Sequence, residues 1–386
     1  MSLITNTKDL KTLCKKLHKA DFVTVDTEFI RERTYWPKLC LIQVAGPNDV
    51  AAIDPLAEGI DLSPFYDLLQ DKKVLKVFHA CRQDLEIFFN QTGKVPTPVF
   101  DTQIAATVCG FGEQVGYENL VNALVKKKLD KSSRFTDWAH RPLTAKQLKY
   151  AMADVTHLRP IYEKLMARLE KEGRKNWIRD EMKDLTRKTN YKIDPQESWK
   201  RIRIPSAKPR ALGILREVAA WREVTAQKID IPRGRLIKDE ALAEIATHPP
   251  TNTAALARIR NVSQGFAEGS KGQELLVVVE EAKKIADKDL PQRKARTAMP
   301  PGLGPTVDLL RVLLKLKCEE SKVAPKLLCV AADLEQIAAF GEEADVPALK
   351  GWRKKLFGKE ALDLREGKLA IAVAGGRLKL VKTRAK

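Results

Sequence analysis

Apolar positions along the first half of the chain fall into short runs separated by segments of helical period. Residues 22–29, 39–45, 50–53 and 74–78 are rich in aliphatic and aromatic side chains, and each run predicts a strand. Residues 9–17, 85–90, 102–108, 118–125 and 144–169 repeat their apolar positions at helical spacing and predict helices. The links at 30–38 and 46–49 are short enough for antiparallel pairing, whereas the later strands are joined through helices, which suits parallel pairing. The expectation is an α/β domain built on a mixed sheet.

Past residue 187 the pattern changes. Residues 189–208 mix Asn190, Pro195, Ser198 and Pro205 with many basic residues and hold no period, so they are expected to link domains. Shorter helical pieces follow at 211–228, 239–246, 253–259 and 273–284, interrupted at Pro232-Arg233-Gly234, at Pro249-Pro250 and over 265–272. A second basic, proline-rich break at 288–305 precedes helices at 307–317, 325–330, 333–340 and 347–356. The chain then shows a hairpin pattern, 369–373 and 378–381 around Ala374-Gly375-Gly376. The domains expected are 1–188, then 209–287 and 306–386 as two small all-α units, with linkers at 189–208 and 288–305.

At 386 residues, 44% hydrophobic and 31% charged, the chain is globular and long enough for several cores. Its formal net charge of +19 favours polyanionic partners, nucleic acid first among them. No apolar run approaches membrane-spanning length, and the first residues show no secretory pattern, so the expectation is a cytoplasmic protein without membrane association. Six cysteines, at 14, 40, 81, 109, 318 and 329, form no CxxC pair and no zinc spacing with histidine, and are expected to be reduced thiols.

The sharpest chemical signal is Asp26-Thr27-Glu28 inside an apolar run. Residues two apart on a strand share a face, so both carboxylates project from one side of a largely buried sheet. Like charges in such a place need counter-cations, a shared proton or solvent, and a hard divalent cation is the simplest of these. Asp84 stands just past the strand 74–78 and can face the same sheet end; it is also a natural helix-start residue, as is Asp101, which is read as an N-cap. Tyr150 and Asp154 are four apart in a helical segment and point the same way, with Ala151 and Ala153 small enough to bring that helix close to the sheet. Four acids and a phenol in one place suit metal-assisted phosphodiester hydrolysis by two ions, Mg²⁺ or Mn²⁺, with Tyr150 orienting or deprotonating the water.

These residues resemble the ribonuclease D group of the DnaQ-like exonucleases, which carry three Asp, one Glu and a Tyr. The resemblance rests on Val25-Asp26-Thr27-Glu28-Phe29, on Arg31-Glu32-Arg33-Thr34-Tyr35 and on Leu41-Ile42-Gln43-Val44. It continues through His79-Ala80-Cys81-Arg82-Gln83-Asp84, Phe100-Asp101-Thr102-Gln103, Asp130-Lys131-Ser132, Thr136-Asp137-Trp138, Arg141-Pro142-Leu143 and Tyr150 with Asp154. The segment from Pro209 resembles an HRDC domain, and the last unit looks like a diverged second one. The resemblance implies a ribonuclease H-like fold and 3′→5′ removal of 5′-nucleoside monophosphates from RNA. It also implies precursors of transfer RNA and other stable RNAs as substrates. Asp26, Glu28, Asp84 and Asp154 would hold the metals, with Tyr150 as the fifth catalytic residue. Thr27, Phe29, His79, Gln83, Lys128, Arg134 and Trp138 are candidate RNA contacts, with Trp138 a candidate stacking platform and Lys126–128, Lys131, Arg141, Lys146 and Lys149 further candidates for cradling phosphates. The protein is expected to be a monomer. The competing readings are a DNA-directed proofreading exonuclease and a non-catalytic RNA-binding scaffold.

Overall fold

The computed structural model describes residues 2–130, 133, 136–205, 208–292 and 300–383. A six-stranded mixed sheet organises the first domain: β1 (Ser2–Ile4), β2 (Phe22–Ile30), β3 (Lys38–Ala45), β4 (Val50–Ile53), β5 (Leu75–Phe78) and β6 (Val99–Asp101), in the order β1-β4-β3-β2-β5-β6. The pairs β2/β3 and β3/β4 are antiparallel and β2/β5 is parallel, as the link lengths predict, and the unforeseen strands β1 and β6 add parallel pairs with β4 and β5.

β2 lies inside the sheet, so both its faces are covered, and its alternation assigns every side chain to one of two layers. Val23 and Val25 join the core formed with α1 (Thr7–Leu17), α2 (Ser63–Gln70) and α3 (Arg82–Thr92). The opposite face carries α4 (Thr102–Val108), α5 (Tyr117–Leu120), α6 (Ala145–Lys171) and α7 (Lys175–Leu185). Thr24, on that face, donates its hydroxyl to the Val155 carbonyl at 2.8 Å, and Arg159 donates to the Phe22 and Ala45 carbonyls at 3.3 and 3.2 Å. These bonds hold α6 across β2. Asp26 and Glu28 follow Thr24 on the α6 face, while Thr27 follows Val25 toward α3.

The second unit comprises α8 (Pro209–Lys228), α9 (Arg233–Leu236), α10 (Asp239–Thr247), α11 (Thr253–Ala257), α12 (Gln264–Glu268) and α13 (Ser270–Lys283). The third holds α14 (Gly304–Ser321), α15 (Pro325–Leu328), α16 (Ala331–Phe340), α17 (Gly351–Arg353), α18 (Lys359–Arg365) and the antiparallel hairpin β7 (Leu369–Ala374) and β8 (Arg377–Lys382). Each has its own buried cluster. The hairpin packs Leu369, Ile371 and Leu380 on the third core, so that unit is not all-α.

Several elements depart from the sequence expectation. β1 and β6 are too short to show a period, and α2, α7 and α18 fell outside the predicted helices. Pro232-Arg233-Gly234, read as a break, begins α9, and 265–272 contains α12 and the start of α13. The aperiodic stretch 189–208 is tied down at both ends: Tyr191 packs in the first core, and Trp199, Ile202 and Ile204 in the second. Single anchors on 3₁₀ turns leave no period to read.

Both helical units dock on the first domain. The β2–β3 loop inserts Tyr35, whose hydroxyl donates to the fully buried Glu223 of α8, and the Tyr35 and Trp36 amides both donate to Asp230 at 3.0 Å. On the other side Trp177 of α7 stacks on Trp352 of the third unit at 4.3 Å, and Arg353 pairs with Glu181.

Candidate active site

Asp26 sits opposite Gln43 in the β2/β3 ladder, with Glu28 opposite Leu41 and a bulge between Glu28 and Phe29 where pairing loosens. Asp84 lies in the first turn of α3 and is buried; it accepts a hydrogen bond from the Thr27 hydroxyl on the other face of β2. The turn leading to it is clamped by Asp101, which caps α4 through Gln103 N and also accepts from the Ala80 and Cys81 amides at 3.0 and 2.8 Å. Ala80 has φ 57°, an unfavourable conformation for a residue with Cβ that this clamp holds. The N-cap reading of Asp101 therefore stands, and it also sets the approach to Asp84.

Tyr150 and Asp154 are carried by α6, which starts at a capping box formed by Thr144 and Gln147. Ahead of it, Arg141 grips the buried Asp54 with two bonds of 2.7 Å and donates to the Cys40 carbonyl, pinning the segment to β3 and β4. Ala151 is fully buried against Cys40, Leu41 and Ala52, which gives the close helix-to-sheet approach expected of a small residue; Ala153 is only half-buried. Asp154 accepts a hydrogen bond from Tyr150 one turn earlier.

A cavity of about 430 Å³ opens where these elements meet, lined by Asp26, His79, Tyr117, Tyr150 and Asp154 among others. Burial pushes the Asp26 carboxyl well above the usual carboxylate range, and the charge of Asp154 pushes it further. Burial raises Asp154 to about 7 against the opposing Tyr150 bond, and Asp84 is raised by burial and by Asp26, with the Thr27 hydroxyl opposing. None of the ion pairs among the described residues includes Asp26, Asp84 or Asp154. His79 points the other way: burial lowers its pKa against the charge of Asp101 and a bond to the Val115 backbone, and its Nδ1 bonds the Thr102 hydroxyl at 2.9 Å. Gln43, fully buried beside Asp26, leaves both side-chain amide atoms without partners among the described residues.

The structure joins Asp26 to Asp154 across one cavity and to Asp84 electrostatically. It does not gather three of these acids tightly: among the described residues no group of three or more His, Cys, Asp or Glu is close enough to form a ligand cluster. Asp84 approaches β2 from the α3 side and is held there by Thr27. Carboxylates that repel one another across a cavity, beside the unpartnered Gln43 amide oxygen, fit a hard cation with its waters.

The candidate RNA contacts divide. His79 lines the cavity, Gln83 and Lys128 are exposed, and Phe29 is half-buried against the first core. Thr27 is buried and spends its hydroxyl on Asp84. Trp138 corrects the expectation: it is 3% exposed, packed under Tyr150 at a ring distance of 6.1 Å, so it supports the phenol and offers no face to a base. Arg141, bonded to Asp54, is a clamp on the fold and is not available to cradle a phosphate. Arg134 and Lys131 lie outside the described residues. Sequence reasoning missed Tyr117 and Gln43. The Tyr117 hydroxyl donates to the Asp154 carbonyl, fixing α5 to α6, and its own pKa is raised by burial and by Asp154, Asp26 and Tyr150. An aromatic at the head of 118–125 and a lone amide opposite Asp26 in an antiparallel pair were the available signals.

A family model described as 3′-5′ exonuclease matches residues 1–170, and one described as HRDC domain matches residues 211–279. Fold and matches define a 3′-5′ exonuclease with an appended HRDC domain. Ribonuclease D of Granulibacter bethesdensis is 50% identical over 386 residues, covering 99% of this chain and 97% of its own. That of Gluconacetobacter diazotrophicus is 48% identical over 379 residues, covering 98% and 96%. Among solved structures, Escherichia coli RNase D, described as an exoribonuclease involved in structured RNA processing, superposes with a TM-score of 0.80 at 30% identity, covering 94% of this chain and 98% of that one. The chain belongs to the ribonuclease D family, whose exonuclease fold is divalent-metal dependent.

Proposed function

We propose that this protein is a 3′→5′ exoribonuclease that trims structured RNAs, precursors of transfer RNA among them, and releases 5′-nucleoside monophosphates. The observation that carries this reading is the set of raised carboxyls Asp26, Asp84 and Asp154 around β2, two of them at the wall of an open cavity. Asp26, Glu28, Asp84 and Asp154 would hold two divalent cations, Mg²⁺ or Mn²⁺. When bound, such ions activate water and neutralise charge developing on the phosphate.

The chain's own groups do the rest. Asp154 holds the Tyr150 phenol at the cavity wall, where it orients the attacking water; Trp138 packs beneath that ring and limits its motion. Thr27 and the Asp101 clamp fix Asp84, and Tyr117 fixes the α6 backbone at Asp154. His79 lines the cavity, and its bond to Thr102 and the pull of burial on its pKa make it a packing wall of the site that disfavours a positive charge there. The unit formed by 306–386 acts as a second HRDC-like domain, and the protein works as a cytoplasmic monomer.

The test is a 5′-labelled single-stranded RNA and the matching DNA, each incubated with Mg²⁺, Mn²⁺ or EDTA. A metal-dependent ladder shortening from the 3′ end, stronger on RNA, supports the reading. Binding without shortening supports a scaffold, and preference for DNA supports a proofreading enzyme.

A further inference from the structure

A second cavity, of about 400 Å³, lies between the exonuclease domain and the HRDC unit, and four arginines line it: Arg31, Arg82, Arg201 and Arg233. We infer that this cleft is a binding site for the phosphodiester backbone of the RNA upstream of the 3′ end, an inference that rests on the exoribonuclease reading.

The arginines come from separate parts of the chain. Arg31 directly follows β2, Arg82 opens α3, Arg201 ends the 3₁₀ turn Pro195–Arg201, and Arg233 begins α9. Neither domain alone assembles the group. Two carboxylates arrange it without cancelling it. Glu86 holds Arg31 through bonds of 3.0 and 2.8 Å, and the fully buried Glu223 draws in Arg233 at 3.2 Å and Arg201 at 3.7 Å. Arg82 is exposed and takes part in none of the ion pairs among the described residues. Four guanidiniums against two carboxylates leave two positive charges in a concave site. The heads of Arg31, Arg201 and Arg233 keep 36%, 54% and 41% of their side-chain exposure. Guanidinium forks held this way suit phosphate oxygens.

Location selects the ligand. Arg31 is three residues beyond Glu28, roughly 10 Å along an extended strand, and Arg82 precedes Asp84 by two residues on α3. The arginine cleft and the acid-lined cavity therefore lie on either side of the strand end that carries the acids. A chain whose 3′ terminus enters the acid cavity would lay its preceding phosphates toward the arginines. The docking of Tyr35 on Glu223 keeps both halves of the cleft in register, because Glu223 is at once the anchor for the β2–β3 loop and the counter-charge for Arg201 and Arg233.

The experiment uses the full chain, Arg82→Gln, the double variant Arg82→Gln/Arg201→Gln, and Lys8→Gln as a remote charge control. Fluorescence anisotropy with a labelled single-stranded RNA of about 20 nucleotides in EDTA gives affinity against salt, where each lost phosphate contact lowers the log–log slope by about 0.7. The expected result is a slope smaller by about 0.7 for the single and about 1.4 for the double variant, with the Lys8→Gln slope equal to wild type. With Mg²⁺, the ratio of kcat/KM on that RNA to kcat/KM on a dinucleotide, too short to span both cavities, should fall at least several-fold in the double variant. Unchanged slopes and an unchanged ratio overturn the cleft. If wild type cleaves neither substrate, the exoribonuclease reading fails while the slopes still decide whether the cleft binds RNA. Melting midpoints within a degree or so of wild type show that the variants are folded; Arg82→Gln alone suffices if the double variant is not.

Discussion

Removing one of the buried acids should make the metal-free protein more stable. The Asp154 carboxyl is raised from 3.8 to about 7, chiefly by burial. Between pH 4 and 7 the folded protein keeps a proton that the unfolded chain has lost, so folding stability falls as pH rises through that window and the full cost is present at pH 8. A lift of about three pH units corresponds to at most about 4 kcal/mol. Asp154→Asn removes the charge, retains an acceptor for Tyr150, and relieves Asp26, which Asp154 also raises. In EDTA at pH 8 the variant should gain about 1–4 kcal/mol, or about 2–4 °C of melting temperature per kcal/mol for a domain of this size. The gain should vanish near pH 4, and Mg²⁺ should narrow it by stabilising only the wild-type site. Calorimetry at pH 4, 6 and 8, with and without Mg²⁺, reads all of this. A variant melting at or below wild type at pH 8 in EDTA would refute the claim that these carboxylates form a strained, cation-seeking site.

Thr27→Val leaves the buried Asp84 without its hydroxyl partner, and should lower kcat more than it changes KM while costing about 1–2 kcal/mol in a denaturant melt. Tyr35→Phe removes a bond to the fully buried Glu223, so the HRDC unit should lose about 1–3 kcal/mol and the 31–37 loop should become a protease site, read by limited digestion. Trp177→Ala abolishes the stack on Trp352 and should loosen the third unit, visible as an earlier separate transition in calorimetry. Arg141→Ala leaves Asp54 charged and buried, at a cost of about 3–5 kcal/mol in the same melts.

What the sequence made legible follows the physics of each element. Four of the six strands of the catalytic sheet were readable because β2 to β5 are apolar runs bounded by turns, and their mixed pairing followed from link length. Thr24, Asp26 and Glu28 could be assigned to one face because alternation is a geometric fact of a strand. Asp84 lies close enough to Asp26 for their charges to interact, yet its side of the sheet was not foreseeable, since a loop with Ala80 at positive φ sets it. Trp138 was misread because a tryptophan among charges looks the same in sequence whether its ring faces water or packs under a tyrosine. Tyr35 and Glu223, 188 residues apart, carry no local pattern that joins them.

Whether the acids around β2 form the hydrolytic centre is decided by single-turnover trimming of a 5′-labelled RNA by wild type, Asp26→Asn and Asp154→Asn in saturating Mg²⁺. Wild type should shorten the 3′ end with release of 5′-nucleoside monophosphates, and both variants should be at least about 10³-fold slower, on the order of 4 kcal/mol of lost transition-state stabilisation. Variants that trim within ten-fold of wild type would place the chemistry elsewhere in the molecule.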